Sequence, residues 1–248
     1  MSSFGRISKG LLREKVKFIN LIFIINIFVV IYSLITNKFS NNTNSYTGIA
    51  VMSITLGVIF LCWLNEGVYS NDRYRLIPVS DGTMYFSNVL MSIIALVYLL
   101  VGEFIFYLIE YKLVPNAYDN MMMADFNGGQ QYLFGLEILV TFILGVIFIF
   151  TVVTAIHMLT SWISNFLPFR NQTLIQGILA FVVIGVLMIP FNYITNNILK
   201  IFGIDNMNSS FAAVSHVMSA IMAMILIWII VFTIINLYFL KRWSETTK

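Results

Sequence analysis

Charged residues make up only 10% of this 248-residue chain, so each one set among apolar neighbours is a candidate for chemistry. Glu103 lies inside a long apolar stretch, where an ionisable group is costly and is by default a functional candidate. Helical spacing places Glu103, Tyr107 and Glu110 on one face, an acidic stripe suited to attracting a cationic or amphipathic cargo. The plainer reading is a carboxylate that reaches the interface or accepts a hydrogen bond from a neighbouring helix. Glu137 falls at the border of another apolar stretch, where solvation is expected. A denser set of charges lies in Glu66-Gly67-Val68-Tyr69-Ser70-Asn71-Asp72-Arg73-Tyr74-Arg75-Leu76-Ile77-Pro78-Val79-Ser80. This spacing predicts a short charged helix over 66–76. Pro78 disfavours helix at Ile77, and Ser80 or Asp81 is placed to cap the helix that follows.

Other chemistries find little support. His157 and His216 fall in different apolar stretches, and neither has a metal-ligating residue at i+3 or i+4, as a zinc site would favour. The run Met121-Met122-Met123 has soft sulfur atoms but no accompanying Cys or His, so adaptable apolar packing is favoured over metal binding. Cys62 is the single cysteine and forms no internal disulfide. The sequence contains no H-E-x-x-H, no G-x-S-x-G and no G-x-x-x-x-G-K-[ST] phosphate loop. Neither an enzyme site nor nucleotide hydrolysis is therefore expected in this polypeptide.

The elements that must position these residues are written in the hydropathy. Hydrophobic residues make up 59% of the chain. They concentrate in six stretches, 18–36, 47–65, 85–109, 134–157, 174–194 and 214–240. Each is close to or beyond the roughly 18–20 residues that cross about 30 Å of hydrocarbon as a helix. The expected fold is an all-α polytopic membrane protein with six transmembrane helices over 18–240. Residues 1–17 read as an interfacial amphipathic helix, with Phe4, Ile7, Leu11 and Leu12 on one face and Arg6, Lys9 and Arg13 on the other. Residues 241–248 form a tail.

Alternate loops differ in charge. Lys38, Lys112 and Lys200 fall on one side of the membrane, and the other Lys and Arg residues, Lys15, Lys17, Arg73, Arg75 and Arg170 among them, fall on the other. The positive-inside rule then places both termini in the cytoplasm. The first stretch lacks a small-x-small cleavage site and reads as a retained span. The net charge of +3 reflects membrane borders, where cations meet anionic headgroups, and no nucleic-acid partner is expected.

Within this frame 66–84 is an inner loop, 110–133 an outer loop, and 192–213 a broken outer segment following Pro190. Asn20 and Asn26 in the first span can join helices or line a path, with packing favoured. Ser215, Ser219 and Ala223 at four-residue spacing allow close helix approach, either within the chain or at a dimer seam. The two three-span halves show no internal repeat.

The amphipathic start, the six spans and the loop between the second and third spans together resemble permease subunits of the ATP-binding-cassette type 2 export family. That family's loop has an acidic residue and a Tyr near its start and a short basic stretch. Leu-x-Pro-[Val/Ile/Leu]-[Ser/Thr] follows. Glu66, Tyr69, Arg73, Arg75, Leu76, Pro78, Val79 and Ser80 fit this pattern. Many members carry a Lys about ten residues after the Pro, where this chain has Asn88.

The resemblance implies that the 66–76 helix is a coupling helix, with Glu66, Tyr69, Asp72, Arg73, Arg75 and Leu76 docking a cytoplasmic ATPase. Two permeases, a second copy or a paralogue, would pair in a bacterial plasma membrane with two ATPase subunits carrying ATP and Mg. This chain would hold no cofactor of its own. ATP-driven closure would export an amphipathic or hydrophobic cargo such as a peptide antibiotic, a lipid-like molecule or a drug, with Glu103 and Tyr107 as candidate residues of its path. The alternative from another class is an ATPase-independent secondary transporter built on Glu103.

Overall fold

The computed structural model describes residues 3–37, 45–70, 74, 79–113, 128–165, 172–201 and 211–246. These hold six long helices and, among the described residues, no strand. The helices are α1 (Ser3–Asn37), α2 (Ser45–Ser70), α3 (Asp81–Leu113), α4 (Gly128–Asn165), α5 (Gln172–Ile201) and α6 (Phe211–Thr246). All six contain a segment long and apolar enough to cross a membrane: Ile7–Tyr32, Gly48–Tyr69, Asp81–Ile109, Gly129–Ile163, Gly177–Asn197 and Phe211–Arg242. Large apolar side chains such as Phe28, Phe104, Phe181 and Ile230 stand exposed along them. That is costly in water and neutral in lipid.

Two elements differ from the sequence-based expectation. The amphipathic start and the first span form one uninterrupted helix, with no break between 17 and 18. Nothing in Arg13-Glu14-Lys15-Val16-Lys17-Phe18-Ile19-Asn20 breaks a helix. The buried face also runs through unchanged, over Ile7, Leu11, Lys15, Ile19, Ile22 and Asn26 at steps of three and four. The segment expected to be broken after Pro190 is helical as far as Ile201. Proline removes one donor and crowds the carbonyl four residues back, and membrane helices tolerate this where neighbours compensate. The Met121–Met123 run lies outside the described residues.

The chain divides into two compact units, Met1–Met122 and Met123–Lys248. In the first, α1, α2 and α3 each pack against the other two. Two close approaches depend on glycine. A Cβ on Gly102 of α3 would lie 2.2 Å from the Phe23 ring of α1, and one on Gly57 of α2 would lie 2.3 Å from Leu99 Cδ2 of α3. Phe23 in turn packs edge-on to Tyr98 and Phe106 of α3, at 5.4 and 5.9 Å between ring centroids.

In the second unit α4 packs along both α5 and α6, which barely touch each other. The centre is Ala155 of α4 with Trp228 and Phe232 of α6, joined by Phe148 and Leu187. Phe191, the residue after Pro190, stacks on Phe148 at 5.9 Å and lies 4.9 Å from Trp228. The helix turn at the proline is therefore held by aromatic packing.

Candidate functional site

The polar groups of the first unit gather into two buried layers. One is built around Lys15, only 1% exposed. Its Nζ donates to Asn65 Oδ1 of α2 at 2.7 Å. On α3 it reaches Asn88 Oδ1 at 2.6 Å, the Asn88 carbonyl at 2.9 Å and Ser92 Oγ at 2.5 Å. An ammonium has three donor hydrogens, so these four neutral oxygens saturate it. The Ser92 hydroxyl lies 2.6 Å from Asn65 Oδ1, and Asn88 Nδ2 donates to the Asn65 carbonyl at 3.3 Å. Asn65 Oδ1 thus accepts from two helices, which fixes its amide orientation and leaves its buried Nδ2 without a hydrogen-bond partner.

The second layer holds Glu103, 5% exposed. Asn26 Nδ2 of α1 donates to Glu103 Oε1 at 2.5 Å, and Ser53 of α2 donates to Asn26 Oδ1 at 2.6 Å. From Lys15 to Asn26 is about 17 Å along α1 at 1.5 Å per residue. Ile19, Ile22, Leu61, Leu96 and Leu99 fill the apolar space between the layers. The pairings also fix direction. Late residues of α2 meet early residues of α1 and α3 in the Lys15 layer, and the reverse holds at Glu103, so α2 runs antiparallel to the other two.

Of the loop residues singled out by the sequence, Tyr69 joins the Lys15 layer and Tyr74 and Ser80 lie outside it. Glu66 and Tyr69 lie in the last turns of α2, continuous with the span. Tyr69 is buried, stacked on Tyr85 of α3 at 6.2 Å, with its hydroxyl paired to the Asn88 side chain. Tyr74 donates from its hydroxyl to Glu14 Oε2 of α1 at 2.6 Å, pinning the middle of the loop to that helix. Ser80 caps α3: its carbonyl accepts the Met84 amide at 3.0 Å and its Oγ the Thr83 amide at 3.3 Å. Asp72, Arg73, Arg75 and Leu76 lie outside the described residues.

The two candidate cargo-path residues sit differently. Glu103 faces inward onto Asn26, and Tyr107, one turn further along α3, is half-buried. The side chain of Glu110 is outside the described set, as is the loop that follows. Asn20 is exposed and accepts a hydrogen bond from Tyr98 at 2.9 Å, whereas Asn26 belongs to the Glu103 layer.

In the second unit Glu137 is half-buried, contrary to the solvation expected at a border. It accepts a 2.5 Å hydrogen bond from Ser215 of α6, and its Oε2 is buried without a hydrogen-bond partner. Ser219 bonds back to the His216 carbonyl of its own helix. Further along, Asn236 of α6 donates to the Thr151 carbonyl of α4 at 2.9 Å, so α4 and α6 run parallel.

Sequence reasoning missed the Lys15 layer. Lys15 reads as one more border cation, and its partners lie 50 to 77 residues away. The available signal was its place on the apolar face of the helix, four residues from both Leu11 and Ile19. The Asn88 side chain accepts from the Lys15 ammonium.

Comparison with protein-family models, with curated proteins and with solved structures gives no match.

Proposed function

We propose that the chain is the permease subunit of an exporter driven by a separate cytoplasmic ATPase docked on the 66–76 segment. One observation carries this reading. The start of the segment that fits the permease loop pattern is tied into the buried layer joining α1, α2 and α3, and its later residues contact α1 and begin α3 outside that layer. Tyr69 enters it through Asn88, Tyr74 holds Glu14 of α1, and Ser80 starts the helix that carries Asn88 and Ser92. A push on this segment is transmitted to all three helices at once, since packed interiors shift between discrete arrangements and do not deform gradually. In this reading both termini are cytoplasmic and the membrane is a bacterial plasma membrane. The permease acts in pairs, with two ATPase subunits supplying ATP and Mg. The cargo is amphipathic or hydrophobic.

A specific observation favours a second reading, an ATPase-independent secondary transporter. Glu103 is an acidic side chain buried among three helices, the kind of group that proton-coupled carriers use. One experiment separates the two. The chain is purified in gentle detergent with its cognate ATPase, and transport is then assayed in vesicles. The exporter reading expects the ATPase to co-purify in equal stoichiometry. The double variant Arg73→Glu, Arg75→Glu should lose it while inserting normally. Retention of the ATPase by the charge-reversed variant removes the docking assignment. Transport without any ATPase that is abolished by Glu103→Gln establishes the carrier.

A further inference from the structure

Lys15 uses the inner face of α1; the opposite face carries a different pattern. Lys9, Arg13 and Lys17 follow one another at four-residue steps, about 6 Å apart along the axis, and all three are exposed. Their stripe lies on the far side of α1 from Ile7, Leu11, Lys15 and Ile19. The intervening acid, Glu14, is engaged by Tyr74. Beyond Lys17 the same stripe turns polar at Asn20 and then apolar at Leu21 and Ile24, each 51% exposed. A cleft of about 620 Å³ follows this run. Arg13 and Lys17 stand at one end, Asn20 in the middle, and Phe18, Leu21 and Ile24 line the rest. The ring of Phe18 is itself backed by Phe60 and Trp63 of α2, at 6.1 and 6.0 Å.

We infer that this cleft is a binding site for one anionic phospholipid. The order of its groups matches the order of groups in such a molecule: phosphate, then glycerol and ester oxygens, then acyl chain. The Arg13 guanidinium offers a planar fork of donors to phosphate oxygens and Lys17 adds a point charge. Asn20 supplies an amide at the depth of the ester linkage. Leu21 and Ile24 meet the first methylenes of the chain. A zwitterionic lipid fits the apolar end equally well but brings its own ammonium beside Lys9, Arg13 and Lys17, which an anionic headgroup does not. The volume lies within the roughly 300–1,000 Å³ of built small-molecule sites. The inference needs only that α1 lies in a membrane, and it stands or falls independently of the ATPase.

The test is native mass spectrometry of the full chain after delipidation, titrated with phosphatidylglycerol or phosphatidylcholine of matched chains. Wild type is compared with Arg13→Gln, Lys17→Gln and with Ile24→Trp, each checked by circular dichroism for unchanged melting. One phosphatidylglycerol should bind at least about tenfold more tightly than phosphatidylcholine. The double variant should lose about fivefold per cation removed, and Ile24→Trp should weaken both lipids. Equal binding of the two lipids overturns the inference, as does a preference that survives the double variant. Displacement of the lipid by millimolar inorganic phosphate would mark a simple anion site. A dimer that dissociates in Ile24→Trp would mark the seat of a second copy. Either result also overturns the lipid assignment.

Discussion

Lys15 and Glu103 show how differently an ionisable side chain can be accommodated in the same three helices. The ammonium is surrounded by neutral oxygens from α2 and α3, whereas the carboxylate accepts from the Asn26 amide, which is itself held by Ser53. Lys15→Met keeps the length of the side chain and removes its donors. Asn65, Asn88 and Ser92 then lose a shared partner. In soluble proteins each buried group left unsatisfied costs about 1–3 kcal/mol. Interhelical hydrogen bonds in membranes average nearer 0.6 kcal/mol, and with several acceptors affected a total of about 2 kcal/mol is expected. Reversible unfolding in mixed micelles measures it, and a variant as stable as wild type would show that the layer contributes nothing. The hydropathy of the sequence located Glu103 as an intramembrane acid but gave no hint of Asn26 as its partner, because both residues look like ordinary intramembrane polar groups until α1 and α3 are placed side by side. Glu137 was misjudged for a related reason. Its position at the end of an apolar run suggested water, and Ser215, the residue that covers it, is 78 positions away.

Among the elements, α1 and α3 make the most demanding contact of the first unit. The Phe23 ring lies flat over Gly102, in space that any side chain would occupy. Gly102→Ala should force the ring away from Tyr98 and Phe106 and destabilise the unit by about 1–3 kcal/mol, the usual range for overpacking. Gly10, which has open space around it, is the control site, and Gly10→Ala should leave unfolding unchanged or slightly raise stability. A Gly102→Ala variant as stable as Gly10→Ala would show that the Phe23 contact places no packing demand on the α1–α3 seam. The existence of the helices was legible because long apolar runs have one stable form in lipid. The cap at Ser80 was legible from Pro78 and the polar pair that follows it. The continuity of α1 was not, since a change from amphipathic to apolar composition resembles a boundary when the buried face cannot be seen.

At the scale of the whole molecule the fold is two three-helix units whose internal order was not readable from the hydropathy. Six apolar runs permit many arrangements, and the choice rests on a few side-chain pairs such as Lys15 with Asn88 and Asn236 with Thr151. These pairs join residues distant in sequence, so they also set a schedule for biosynthesis. When the ribosome has made α1, none of the oxygens that receive the Lys15 ammonium yet exists; the last of them, on Ser92, is added 77 residues later. Until then the cation must remain with water or lipid phosphates, so the nascent first span sits shallow in the bilayer and settles only once α3 emerges. Chains stalled before residue 88 should therefore leave Lys15 open to an amine-reactive label that the finished protein excludes. Equal labelling of stalled and finished chains would contradict this order. A translation product interrupted between the second and third spans therefore lacks the Asn88 and Ser92 oxygens that hold the Lys15 ammonium.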